Sequence, residues 1–333
     1  MLEHGGNLKH AAQLYGIPLT AWLDLSTGLN PHHYPIPDIP ASTWQRLPED
    51  HDDLIAAACQ YYGCVSALPT AGSQAIIQLL PKLRPTGRVA MPRSMYQEHA
   101  HAWQKHGHSI TFFDHTPSDE LLHQSDVVVV CNPNNPTGKS YTKDILLQWH
   151  QQLMVRGACL IVDEAFIDIA PEDSVAAYSH LEGLLVLRSL GKFFGLAGAR
   201  VGFLLAHPAY LKLAQKQLGP WSVTGASRYI ATQALLDRHW QQSTRLKLLA
   251  ASDRLQQLLT LYGLSPNAGT ALFQYIEHPQ ALEIQKQLAQ QAVWIRLFKQ
   301  PSALRFGLPT DNDWDKLEHA LYHLNINDLQ NQS

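Results

Sequence analysis

No apolar stretch of this chain approaches the ~20 residues that a bilayer-spanning helix needs, so no membrane span is expected. Cysteine is scarce. Cys59, Cys64, Cys131 and Cys159 are the four present, and none forms a C-x-x-C pair. Two of them lie in apolar runs that read as buried strands, so four reduced thiols of a cytoplasmic protein are expected. A surplus of one charge is also missing. The 25 Lys and Arg stand against 28 Asp and Glu, a net charge of −3 with histidine neutral. No overall basic field therefore gathers nucleic acid or anionic lipid. The 18 histidines can make that balance pH-sensitive. The opening residues, Met1-Leu2-Glu3-His4-Gly5-Gly6-Asn7, have no basic n-region and no apolar h-region, so no signal peptide is expected. Internal repeats and low-complexity tracts are absent.

What is there is an ordinary globular composition: 45% hydrophobic and 16% charged over 333 residues. That length suffices for one large domain and a smaller one, each with its own core. Short apolar runs at residues 89–91, 110–113, 127–131, 160–162, 184–187 and 202–206 read as strands buried on both faces. Helical patterns fall between several of them, at 96–106 and 142–155. This alternation predicts an α/β fold with a mostly parallel central sheet. After His207-Pro208 the character changes. A long helical stretch, 229–261, leads to β-like runs at 272–276, 293–297 and 304–307, with helices at 279–291 and 312–324. The expected domains are 41–225 for the large one and 226–333 for a smaller α+β one. Residues 1–40 are rich in Pro, Gly and His and read as a loop-like segment packing on the rest or on a second subunit.

Four features carry chemistry. Ala71-Gly72-Ser73-Gln74 is a small-residue turn opening an amphipathic helix, and its backbone N–H groups suit a phosphate. Most such turns are only helix caps. Asn132-Pro133-Asn134-Asn135-Pro136-Thr137-Gly138 comes directly after a strand, where α/β folds place their sites, and its prolines stiffen it so that an amide can be aimed. Asp163-Glu164-Ala165-Phe166 again ends a strand. A carboxylate there can face a cavity and hold a pyridine nitrogen protonated, or it can be a plain loop aspartate. The fourth is Ser189-Leu190-Gly191-Lys192-Phe193-Phe194, continuing to Arg200-Val201-Gly202. A lysine flanked by glycine and aromatics is poorly hydrated, which favours the neutral, nucleophilic amine. Ser189 and Arg200 can both reach a phosphate.

The order of these motifs resembles the fold-type I pyridoxal 5′-phosphate (PLP) enzymes of the aspartate aminotransferase superfamily, over nearly the whole chain. The resemblance implies PLP as cofactor, with Lys192 as the Schiff-base lysine and Asp163 as partner of the pyridinium nitrogen. It further implies that Asn135 bonds the phenolic oxygen, and that Ser189, Arg200 and the Gly72-Ser73-Gln74 backbone hold the phosphate. Tyr96, in Pro92-Arg93-Ser94-Met95-Tyr96, matches the aromatic stacked on the ring. Arg305, in Ala303-Leu304-Arg305-Phe306-Gly307, matches the arginine that binds the substrate carboxylate.

Within the superfamily, three stretches are similar to the L-threonine-O-3-phosphate decarboxylases of cobalamin biosynthesis. They are His4-Gly5-Gly6-Asn7 with Asp24-Leu25-Ser26-Thr27-Gly28-Leu29-Asn30-Pro31, the Phe166 of Asp-Glu-Ala-Phe, and Gly219-Pro220-Trp221-Ser222-Val223. Histidinol-phosphate aminotransferases, the alternative, usually carry tyrosine at the Phe166 position. The resemblance implies a phosphorylated amino acid as substrate, bound by Arg305 and Arg296, with His4, Asn7 and Gly28 lining the same pocket, and it implies a homodimer. One departure concerns that dimer. Where relatives have a Tyr-Pro pair whose hydroxyl reaches the partner's cofactor, this chain reads Arg46-Leu47-Pro48-Glu49-Asp50. Regulators with an aminotransferase-like domain need a DNA-binding segment, and residues 1–60 show neither a helix-turn-helix pattern nor a basic stripe. No metal is expected: His99, His101, His106 and His108 read as a solvated helix face and loop.

Overall fold

The computed structural model describes residues 5–49 and 52–324. In chain order the strands are β1 (Leu23–Leu25), β2 (Ala67–Thr70), β3 (Arg88–Pro92), β4 (Ser109–Phe113), β5 (Val127–Cys131) and β6 (Cys159–Asp163), then β7 (Leu184–Ser189), β8 (Gly202–Leu205), β9 (Ala268–Thr270), β10 (Phe273–Glu277), β11 (Val293–Lys299) and β12 (Ser302–Gly307). The chain divides into two compact units. Of the described residues, 33–135 and 139–242 form the larger, and 5–32, 136–138 and 243–324 the smaller.

The larger unit is built on a seven-stranded sheet of order β2-β8-β7-β6-β5-β3-β4. β3, β4, β5, β6 and β7 run parallel, and β8 is antiparallel to both β2 and β7. Val-Val-Val-Val-Cys of β5 and Cys-Leu-Ile-Val-Asp of β6 are buried at every position. A sheet covered on both faces demands such unbroken apolar strands. Three helices of this unit start where a side-chain oxygen meets their first turn. Ser118 accepts from Leu121 N–H, Thr142 from Ile145 N–H, and Asp52 from Leu54 N–H. Asp52 also receives a two-pronged ion pair from Arg228, which ties that helix start to the helix Gly225–Leu236.

The stretch expected as one helix over 229–261 is two, Gly225–Leu236 and Arg238–Leu261. The break is at Asp237, whose backbone leaves the helical region at ψ 81°. Its carboxylate accepts from Trp240 N–H, starting the second helix, while the Gln241 amide donates to the carbonyls of Ala234 and Leu235, ending the first.

The smaller unit holds a five-stranded sheet of order β1-β11-β12-β10-β9. β1 pairs parallel with β11, and the other pairs are antiparallel. Residues 5–32 are thus not a loop-like appendage. They supply an edge strand and the helix Leu8–Tyr15, held by a cluster of Tyr15, Trp22 and Trp294 with ring centroids 5.9–6.5 Å apart. The expected boundaries at residues 40 and 225 compare with 32 and 242 in this division. No helix among the described residues is long and apolar enough to cross a membrane.

Candidate active site

Three adjacent parallel strands deliver the candidate residues. Cys131, the last residue of β5, pairs in register with Asp163, the last of β6, and Asp163 pairs with Leu187 of β7. The Asn132–Gly138 loop, Asp163 and Ser189 therefore leave the sheet at its carboxyl edge side by side, where α/β sheets place ligands. The loop is stiffened by more than its prolines. Asn132 donates to Tyr141 O at 3.1 Å and accepts from Tyr141 N–H at 2.8 Å, and Asn134 donates to Ser94 O at 2.7 Å. Two of its three asparagine side chains are thus struts, and the third, half-buried Asn135, is carried on a fixed frame.

Asp163 is buried, and both its oxygens are engaged. His99 Nε2 donates to one at 2.9 Å and Ala165 N–H to the other at 3.1 Å. His99 itself is 1% exposed. The expectation of a solvated histidine face therefore holds for exposed His101 but not for His99 or His108, which are buried. His108 accepts from Gly87 N–H and bonds Pro81 O, a structural post. The thiol of Cys131 lies against the backbone of Tyr96 and Asn135, and its pKa is pushed up by burial first and by Asp163 second. Tyr96 donates to Gln74 Oε1 at 3.3 Å, and Gln74 donates in turn to Glu98 at 2.6 Å. Burial, then the charge of Glu98, pushes the Tyr96 phenol up to about 12, so it stays protonated.

Lys192 is half-buried between buried Gly191 and Phe193, with Nζ 5.3 Å from the centroid of the Phe166 ring. Arg200 sits at φ 54° and donates to Ala197 O at 3.2 Å. Its guanidinium lies against Gly72, where a Cβ would stand 2.6 Å from Nη2. Gly72 is in the left-handed region at φ 75°, and Ser73 starts the helix Ser73–Leu79, whose first-turn N–H groups have no acceptor within the helix. Gly202, paired in register with Ser189, packs on this turn so closely that a Cβ would collide with Ser73 N and stand 2.6 Å from Gly72 C. Gly72, Ser73, Ser189 and Arg200 are thereby brought together into a cradle of N–H, hydroxyl and guanidinium donors. Gly202→Ala is expected to destabilise the protein by about 1–3 kcal/mol through overpacking and to weaken binding of a phosphorylated cofactor. Thermal melting with and without added PLP checks this.

In the smaller unit, Arg296 of β11 and Arg305 of β12 face each other in register. Arg305 is buried, donates to Ser26 O at 2.9 Å and lies 5.0 Å from the Phe273 ring centroid. Burial, then the charge of Arg296, lowers its pKa to about 10. Two guanidinium groups held this way favour an anion beside them. Ser26 Oγ also accepts from Gly6 N–H at 2.7 Å, and a Cβ at Gly5 would collide with the Ser26 carbonyl that anchors Arg305, so Gly5 and Gly6 pack against that carbonyl. Asn7 is exposed and precedes the helix Leu8–Tyr15 without capping it by its side chain. His4 lies outside the described residues.

The family model for class I and II aminotransferases matches residues 42–324. The chain belongs to the class I and II aminotransferase family. Among its members, a threonine-phosphate decarboxylase of Pseudomonas aeruginosa is 50% identical over 96% of this chain and 97% of that protein. A threonine-phosphate decarboxylase of a Sinorhizobium species is 38% identical over 98% and 99%. The structure of histidinol-phosphate aminotransferase from Sinorhizobium meliloti, in complex with pyridoxal-5′-phosphate, superposes with a TM-score of 0.81 at 18% identity, covering 95% of this chain and 94% of that one. That likeness shows a shared aminotransferase fold.

Beside the carboxyl edge of this aminotransferase sheet lies a buried charge cluster of which the sequence motifs contain only Glu164. Arg188, one residue before Ser189, is 2% exposed and pairs with Glu164 at 2.9 Å and Asp168 at 2.5 Å. Ser174 Oγ and Val175 N–H donate to Glu164, and Tyr61 donates to Asp168. The guanidinium also stacks on Tyr62 at 4.3 Å. The cluster ties the residue after Asp163 to the residue before Ser189, so it fixes where β6 and β7 present those two side chains.

Proposed function

We propose that this chain decarboxylates L-threonine O-3-phosphate to (R)-1-amino-2-propanol O-2-phosphate, with pyridoxal 5′-phosphate as cofactor, in cobalamin biosynthesis. The observation that carries the reading is the 50% identity to a threonine-phosphate decarboxylase running over 96% of the chain. The residues present also fit the cofactor. Glycine at 72 and 202 lets the Ser73 turn, the Arg200 guanidinium and the strand carrying Ser189 approach closely, which gathers N–H, guanidinium and hydroxyl donors suited to a phosphate. Bound there, the cofactor supplies an aldehyde for the substrate amine and a protonated ring that takes up the electron pair left by the departing carboxylate.

The chain's own residues set what happens. Arg200, Ser189 and the Gly72-Ser73-Gln74 backbone would hold the phosphate, Asn135 the phenolic oxygen, and Tyr96 the ring face. Asp163 would hold a proton on the pyridine nitrogen. Its bond with His99 and that from Ala165 N–H hold the carboxyl group in place. Lys192 Nζ would hold the cofactor through its aldehyde carbon and would carry a proton to the substrate Cα.

Selection of the broken bond falls to the anion-binding residues, because only the Cα bond perpendicular to the ring plane can cleave with overlap. Arg305 is proposed to hold the substrate carboxylate and Arg296 its phosphate, with Asn7 and Gly28 contributing to substrate binding. Arg305→Gln should lower kcat/KM by ~10–100-fold, the worth of a charge-assisted hydrogen bond. Arg296→Gln should raise KM for threonine phosphate yet leave turnover of unphosphorylated threonine nearly unchanged, which steady-state kinetics on both substrates reads directly.

The function itself is tested by incubating purified protein with PLP and L-threonine O-3-phosphate and following CO₂ release. A parallel reaction offers histidinol phosphate with 2-oxoglutarate. Glutamate formed in the second, with no CO₂ in the first, would replace this reading with an aminotransferase. The protein is further proposed to work as a homodimer.

A further inference from the structure

The helix Asp53–Tyr62 ends on Gly63, whose φ is 67°, and the N–H of Cys64 donates back to the carbonyl of Cys59 at 3.1 Å. That closure is a Schellman ending, which brings the side chains three residues inside the helix end and two beyond it into contact. Apolar residues usually meet there. In this chain both are cysteines. Cys59 is half-exposed and Cys64 buried, so a small oxidant can reach the first and the second is its nearest partner. Cys131 and Cys159 are buried in β5 and β6.

We propose that Cys59 and Cys64 form a dithiol modification site that a peroxide converts into an intramolecular disulfide. The neighbouring Cys64 thiol lowers the pKa of Cys59 to about 7, while Cys64 itself is raised. Cys59 is therefore the thiolate that attacks. Its sulfur takes one peroxide oxygen, breaking the O–O bond and leaving a sulfenic acid and water. The Cys64 sulfur then displaces that oxygen as a second water. In total two thiols and one hydrogen peroxide give one disulfide and two waters, with the two electrons passing from sulfur to oxygen. A C-x-x-C search cannot find the pair, because the helix end, and not a short spacing, brings the two sulfurs together.

The test treats the intact wild-type protein with hydrogen peroxide, then unfolds it, alkylates it and measures its mass with and without dithiothreitol. The expected result is a mass lower by ~2 Da before alkylation, two alkylation sites lost, and Cys59 linked to Cys64 in the peptide map, all reversed by dithiothreitol. Without peroxide, Cys59 should alkylate ~10-fold faster than Cys131 or Cys159 in the folded protein. In Cys64→Ser, Cys59 should instead gain oxygen without forming a link. Wild-type protein in which Cys59 gains oxygen while Cys64 stays alkylatable overturns the proposal. So does wild-type protein that keeps all its thiols alkylatable at a peroxide dose that oxidises Cys59 in Cys64→Ser.

Discussion

Lys192→Ala is expected to lower turnover of L-threonine O-3-phosphate by ~10³-fold or more, since it removes both the covalent anchor and a proton carrier. The side chain's setting makes the effect specific to the amine. Nζ stands 5.3 Å from the Phe166 ring centroid, between buried Gly191 and Phe193, and the residues around it are held by packing that the substitution leaves untouched. The phosphate cradle of Gly72, Ser73, Ser189 and Arg200 remains, so the variant should still bind PLP, but without a borohydride-fixed mass increase at this position. A small primary amine added to the buffer should restore part of the lost rate, because it replaces the missing nucleophile and acid without a tether. A variant that keeps the borohydride-fixed cofactor, or turns over at more than about a tenth of the wild-type rate, would remove Lys192 from the reaction.

The residues behind that expectation are legible in the sequence because each motif comes directly after a buried strand. Val-Val-Val-Val-Cys and Cys-Leu-Ile-Val-Asp are unbroken apolar runs, and unbroken runs mark parallel strands covered on both faces. Topology alone places the residues after such a strand at the sheet's carboxyl edge. Residues 5–32 are not legible in this way. β1 is only Leu-Asp-Leu, and its strand character depends on β11, where Leu23 pairs with Val293 far along the chain. The facing of Arg296 and Arg305 depends likewise on strand register, which spacing does not reveal.

The role of His99 is written in its helical spacing. His99, Ala102 and Trp103 are the buried positions of their helix, an i, i+3, i+4 face. His101 lies on another, exposed face of the same helix, so only the buried face meets Asp163. Arg188 gave a similar signal: a lone charge in Leu-Leu-Val-Leu-Arg-Ser, where a strand buried on both faces has no room for one unless it is paired.

Arg188→Leu is therefore expected to destabilise the protein by about 3–5 kcal/mol, because it leaves Glu164 and Asp168 charged, buried and uncompensated. At present burial opposes the Arg188 charge, while Asp168 and Glu164 more than offset that, so the guanidinium stays ionised. Burial raises the pKa of Glu164, and the Arg188 charge works against that rise. Removing Arg188 takes away the opposing influence, so the carboxyl goes higher still. A carboxyl whose folded-state pKa lies above its unfolded value adds stability below the unfolded pKa and loses it as pH rises through the folded one. The deficit of Arg188→Leu against wild type should therefore shrink as pH falls from ~8 towards ~5. Replacing Arg188, Glu164 and Asp168 together with apolar residues of matched volume should recover most of the loss, since no buried charge is then left alone. Urea melts at several pH values read both effects. A deficit that stays constant with pH, or a triple variant no better than Arg188→Leu, would mean that packing against Tyr62, and not charge balance, is what Arg188 contributes.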